Sequence, residues 1–211
     1  MALIKPEKKS SGSKYLGYCE VSLKEVNNRV NDTNEDGGKK FPWADIYLDV
    51  VLQPKDSDYT RNMQICGSFD REEGSSKIKA DSSVLKRLYW FFDAIGFQGG
   101  INAEGAWEDE KGQPIEDIAD VLSKYSSESY NYLTYIYKEA DKKNPSKHWT
   151  RVHNKIVVNN PNGRKELESY ITFMKNKNFL REVDPTAVNG SDTMIANSLD
   201  EVKDMFEGLP E

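Results

Sequence analysis

The sequence predicts a mainly β domain with a few helices, on three observations. Apolar residues alternate with a period of two through five separate stretches, and clusters of Asn, Asp, Gly and Pro divide those stretches. The 3.6-residue helical period appears only between the third and fourth stretches and again after the fifth.

Residues 1–14 carry Lys5, Lys8, Lys9 and Lys14 around a Ser/Gly run and read as a flexible basic arm. The first strand, 15–26, sets Cys19, Val21 and Leu23 against Tyr18, Glu20, Ser22 and Lys24. After a polar loop at 27–40, the second strand (43–53) turns Ala44, Ile46, Leu48 and Val50 to one side. The third, 60–69, follows a turn containing Pro54 and Asp56-Ser57-Asp58. Asp81 or Ser82 then caps a helix whose stripe is Leu85, Leu88, Tyr89, Phe92 and Ile95, stopped by Gly96. A glycine-rich connection leads to a short helix over about 115–122. Strands at 130–138 and 148–158 follow, and the last helix places Leu167, Tyr170, Ile171 and Met174 on one face. Five strands with a helical insert between the third and fourth is the chain order of a five-stranded OB-like barrel, here with a C-terminal helix and an acidic tail. The expected organisation is arm 1–14, domain 15–180 and tail 181–211.

Composition narrows the function. The chain has 211 residues, with 29 basic and 35 acidic side chains. From Arg181 onward eight acids face two bases, which accounts for the whole net charge of −6. Residues 1–180 are therefore neutral, compatible with a local basic face. No apolar run is long enough to span a membrane, no secretory apolar block follows the first charge, and a cytoplasmic protein is expected. Cys19 and Cys66 alone cannot build a disulfide framework or a cysteine-rich zinc site.

Catalytic patterns are weak. His148 and His153 lie on opposite faces of a strand and lack further ligands, so no metal is expected. Asp45 and Asp49, with Asp58 nearby, could grip magnesium in a nuclease, but they read more simply as solvated charges flanking Tyr47. The glycines at 96–105 fit neither a phosphate loop nor a dinucleotide fingerprint, and no nucleophile elbow is present. No cofactor and no catalysis are expected.

The informative pattern is on the last two strands. Trp149, Arg151, His153 and Lys155 share one face, opposite Val152 and Ile156. The preceding strand adds Tyr132, Tyr135 and Tyr137, and Tyr59 and Arg61 stand at the start of the third. Aromatics interleaved with cations suit single-stranded nucleic acid, because bases stack on the rings while Lys and Arg follow the phosphates. For any one of the tyrosines, filling the barrel core is the simpler reading, whereas the Trp149–Lys155 face reads as a binding face, since an exposed tryptophan is costly without a partner.

Several blocks bear on the same point: Trp43-Ala44-Asp45-Ile46-Tyr47-Leu48-Asp49-Val50-Val51, Asp58-Tyr59-Thr60-Arg61, Phe91-Phe92-Asp93-Ala94-Ile95-Gly96, Gly99-Gly100-Ile101-Asn102-Ala103-Glu104-Gly105-Ala106-Trp107, and Trp149-Thr150-Arg151-Val152-His153-Asn154. In this order they resemble bacteriophage-encoded single-stranded DNA-binding proteins of OB type, over about residues 15–180. The resemblance implies a non-enzymatic role in phage DNA replication or recombination in the host cytoplasm. It also implies recruitment of a polymerase, helicase or recombinase. The acidic tail, with Leu199, Met205 and Phe206 on one face of a short helix, is the expected docking segment. Many such proteins end in acids capped by an aromatic, whereas here Glu207-Gly208-Leu209-Pro210-Glu211 follow Phe206. A protein-interaction module on the same fold and a metal-dependent nuclease remain the alternatives.

Overall fold

The computed structural model describes residues 16–144 and 146–183. The basic arm and most of the acidic tail, including Leu199, Met205 and Phe206, lie outside the described residues. The elements are β1 (Gly17–Asn28), β2 (Ile46–Pro54), β3 (Arg61–Gly67), α1 (Ser83–Ile95), β4 (Gly100–Ile101), β5 (Trp107–Glu108), α2 (Ile118–Ser123), β6 (Tyr132–Ala140), β7 (His148–Val158) and α3 (Pro161–Asn176). The small β4–β5 hairpin was not anticipated. It occupies the glycine-rich connection.

Five strands form one antiparallel sheet in the order β3-β2-β1-β6-β7. Among the described residues no ladder joins β3 to β7, so the sheet is open rather than closed into the expected barrel. Alternation decides which side faces inward. Ile46, Leu48, Val50 and Leu52 of β2 meet Val21 and Leu23 of β1, Met63 and Ile65 of β3, and Ile136 and Ile156 from β6 and β7. A bulge between Leu23 and Glu25 shifts the register of β1, exposing Glu25 and returning Val26 to the core.

α1 supplies the lid of this core through Val84, Leu88, Phe91 and Phe92. Gly96 ends it in the left-handed conformation (φ 78°), a geometry cheap only for a residue without Cβ. The helix lies against both β3 and β7. Arg87 donates from Nη2 to the Cys66 carbonyl of β3 at 3.0 Å, and Lys155 of β7 holds its Nζ 4.6 Å from the Trp90 ring centroid. α1 thus fills the seam that backbone pairing leaves unsealed.

α3 makes a second apolar layer on the opposite side of β6 and β7. Leu167, Ile171 and Met174 pack on Leu133, Tyr135 and Val157. Burying each such side chain is worth about 1.5–3 kcal/mol, enough to hold an amphipathic helix on an apolar strand face. Asn160 caps α3, its Oδ1 accepting from the Gly163 amide at 2.8 Å.

Candidate nucleic-acid interface

The face of β7 expected to carry Trp149, Arg151, His153 and Lys155 exists, with Ile156 in the main core and Val152 packed against it. It is not open to a ligand. Trp149 is only 8% exposed, and its Nε1 donates to Asp141 Oδ2 at 3.0 Å. Arg151 Nε donates to Glu139 Oε2 at 3.0 Å. Opposite Tyr135 the ladder shifts register, and the Thr134 hydroxyl lies 3.1 Å from the carbonyls of both His153 and Lys155. This irregularity sits where His153 and Lys155 meet the helices. His153 lies with its ring centroid 5.4 Å from that of Tyr170 of α3, and burial, helped by Lys155, holds its pKa down to about 4. Lys155, 6% exposed, pairs with Glu166 at 2.8 Å and sits 5.0 Å from the Tyr170 ring centroid.

The tyrosines of β6 are also committed. Tyr132 belongs to the main core and Tyr135 to the second layer, with Tyr137 packed against that layer. Tyr135 Oη donates to Glu182 Oε1 and accepts from Lys175 Nζ, both at 2.7 Å. The expectation of an exposed stacking face on β6 and β7 is therefore corrected. Periodicity identified which residues share a side; α3 covers the part around Tyr135 and Val157, while Trp149 and Arg151 are taken up by Asp141 and Glu139. Of the candidate set, Tyr59 stands 67% exposed in the β2–β3 turn, with the half-buried Arg61 at the start of β3.

A different aromatic and cationic patch is assembled by the loop between β1 and β2. The loop folds back over β2: the Arg29 amide donates to the Tyr47 carbonyl at 2.8 Å, and Thr33 bridges Lys39. Phe41 stacks on Tyr47 with ring centroids 4.2 Å apart, and Trp43 lies 6.1 Å from each. The Arg29 guanidinium and the Lys40 ammonium are each 5.7 Å from the Phe41 centroid. Tyr47 is buried beneath, while Phe41 and Trp43 are half-buried and reach the surface. The signal was present in the sequence as Lys39-Lys40-Phe41-Pro42-Trp43, two lysines abutting two aromatics. Periodicity divides it, leaving Lys39 and Lys40 in the polar loop and Trp43 at the start of the second strand.

The reading of Asp45 and Asp49 as solvated charges needs revision. Asp45 is exposed, but its carboxylate accepts from the Phe69 amide at 2.8 Å and lies 3.4 Å from Arg71. Asp49 is buried, and its Oδ2 accepts from Asn62 Nδ2 at 3.0 Å and lies 3.6 Å from Arg29 Nη1. Burial raises the Asp49 pKa against the opposing pull of Asn62 and Arg29. Among the described residues no three His, Cys, Asp or Glu side chains are grouped to hold a metal ion. Cys19 and Cys66 are buried free thiols, and burial pushes Cys19 up to about 12, so little reactive thiolate forms near neutrality.

Chemically, the loop patch offers ring faces for stacking and two cations at their edge, the pairing that single-stranded nucleic acid uses. Among the described residues no helix is long and apolar enough to cross a membrane. No protein-family model, curated protein or solved structure matches this chain.

Proposed function

We propose that this protein binds and protects single-stranded DNA, without catalysis, during phage DNA replication or recombination in the host cytoplasm. The observation that carries the reading is a coincidence of place. The order β3-β2-β1-β6-β7 is that of an OB barrel unrolled between its third and fifth strands, with α1 in the seam. In that fold the second and third strands and the loop between the first and second bind oligonucleotides. Phe41, Trp43 and Tyr47, with Arg29 and Lys40, occupy that position here. Tyr59, exposed in the turn at the far end of the same hairpin, extends the path. Five residue steps of β2, about 17 Å of strand, run from Tyr47 to Leu52 near that turn. The acidic tail with Leu199, Met205 and Phe206 is assigned to recruiting a polymerase, helicase or recombinase.

The test is a titration of a fluorescent oligothymidine at several salt concentrations. Arg29 and Lys40 give two phosphate contacts, so log affinity should fall against log salt with a slope of about −1.4. No saturable binding at low salt, or equal affinity for duplex, would overturn the reading.

A further inference from the structure

Between the aromatic patch and Tyr59, the outer face of β2 and β3 carries carboxamides rather than cations. Met63 and Ile65 point into the main core, so Asn62 and Gln64 alternate to the other side, where they stand opposite Val51 and Asp49. Asn62, Gln64 and Val51 are half-buried. β2 contains no lysine or arginine, and the one cation of β3, Arg61, stands opposite the inward-facing Leu52. A nucleic-acid strand crossing this face meets hydrogen-bonding groups suited to bases, not partners for phosphate.

Two observations give these amides a direction. Asn62 donates from Nδ2 to Asp49 Oδ2 at 3.0 Å, and an ionised carboxylate only accepts, so the amide cannot be turned the other way round. Its Oδ1 is thereby held as an acceptor, with no donor among the described residues and not sealed from solvent. Gln64 makes no side-chain hydrogen bond among the described residues, and its carboxamide is likewise not sealed from solvent. An oriented acceptor therefore stands beside an adaptable amide on one face, with the apolar side chain of Val51 next to them.

We propose that Asn62 and Gln64 read the Watson–Crick edge of one unpaired base and favour cytosine and adenine over thymine and guanine. The inference rests on the single-strand reading of the aromatic patch and deepens it. Cytosine carries its N4 amino donor beside the N3 acceptor, and adenine its N6 amino donor beside N1. Asn62 Oδ1 accepts from the amino group while Gln64 Nε2 donates to the ring nitrogen. Thymine and guanine reverse both groups. Their O4 or O6 would face Asn62 Oδ1, two acceptors with no proton between them, and Asp49 keeps Asn62 from rotating to offer a donor. Asp49 is thus a positioning residue that acts through Asn62, a role compatible with its burial.

The test uses the full chain and two fluorescein-labelled strands of equal length, followed by anisotropy. One is oligothymidine, and in the other every second thymine is replaced by 5-methylcytosine. The two bases share ring and methyl group, so stacking is matched and only the hydrogen-bonding edge differs. The mixed strand should bind about fivefold tighter, the worth of one net hydrogen bond. A second pair, adenine against hypoxanthine at the same positions, makes the comparison for purines and should show the same preference for the amino base. Gln64→Met and Asn62→Ala should each bring the paired strands to within about twofold of one another. If Asn62→Ala does not fold, Gln64→Met decides. Equal affinity within either pair, tighter binding of the keto base, or a preference unchanged in the folded variants would overturn the proposal. Saturable but equal binding removes this inference and leaves the single-strand reading standing, whereas no binding of any strand removes both.

Discussion

Replacing Gly163 by alanine should destabilise the protein, although helix propensity alone predicts the reverse. Gly163 is buried in the first turn of α3, where the helix passes over the end of β7. A Cβ at this position would lie 2.2 Å from the Val158 carbonyl oxygen and 3.3 Å from Val157 Cγ2. The obstacle is backbone and cannot rotate aside, so the first turn of α3 must retreat by about 1 Å to reach an ordinary contact. Overpacking of this kind costs about 1–3 kcal/mol, and a backbone obstacle puts this case at the upper end. Alanine recovers about 1 kcal/mol of helix propensity. The net loss is about 2 kcal/mol, or a fall in Tm of about 4–8 °C for a protein of this size. Calorimetry would read the Tm, and urea unfolding would read the midpoint with an unchanged slope. Asn160→Ala is the control, because it removes the cap without adding volume and should cost about 1 kcal/mol. A Gly163→Ala protein as stable as the parent would show that α3 does not approach β7 this closely, and the account of the second apolar layer would fail with it.

Two contrasts follow. Trp43→Ala should weaken oligothymidine binding by about 1–3 kcal/mol, roughly five- to 150-fold, with little change in Tm. Trp149→Ala should do the opposite, costing about 3–5 kcal/mol of stability and leaving affinity unchanged, measured on the same two instruments. His153 makes stability depend on pH. The unfolded imidazole takes up its proton near pH 6.5 and the folded one only near 4, so the unfolded state binds more protons between these values. Stability should therefore be nearly full above about pH 6.5 and fall by about 3 kcal/mol as pH drops to 4. His153→Gln should flatten that limb in a pH series of urea midpoints.

The strands were readable because each reports its own environment through alternation. The inward set Ile46, Leu48 and Val50 and the stop at Gly96 needed no distant information. The burial of Lys155 between Trp90 and Tyr170 did, because a strand face looks the same in sequence whether water or a helix covers it. The stripe of Leu167, Ile171 and Met174 announced a helix seeking an apolar surface, and only the fold shows that β6 and β7 provide it. Asp49 misled for a related reason. Its alternation with Leu48 and Val50 placed it on the outer side, but the loop carrying Arg29 folds back over that side. The aromatic patch is formed by loop residues, whose shape no period encodes.

An open sheet has two margins where a foreign strand could add, and such addition is the first step of many aggregation pathways. Here both margins lie against the same helix. Where Arg87 donates to the Cys66 carbonyl, a main-chain acceptor at the margin is already occupied, and beside β7 the space is taken by Trp90 under Lys155. Copies of this protein can therefore crowd together without their sheets joining.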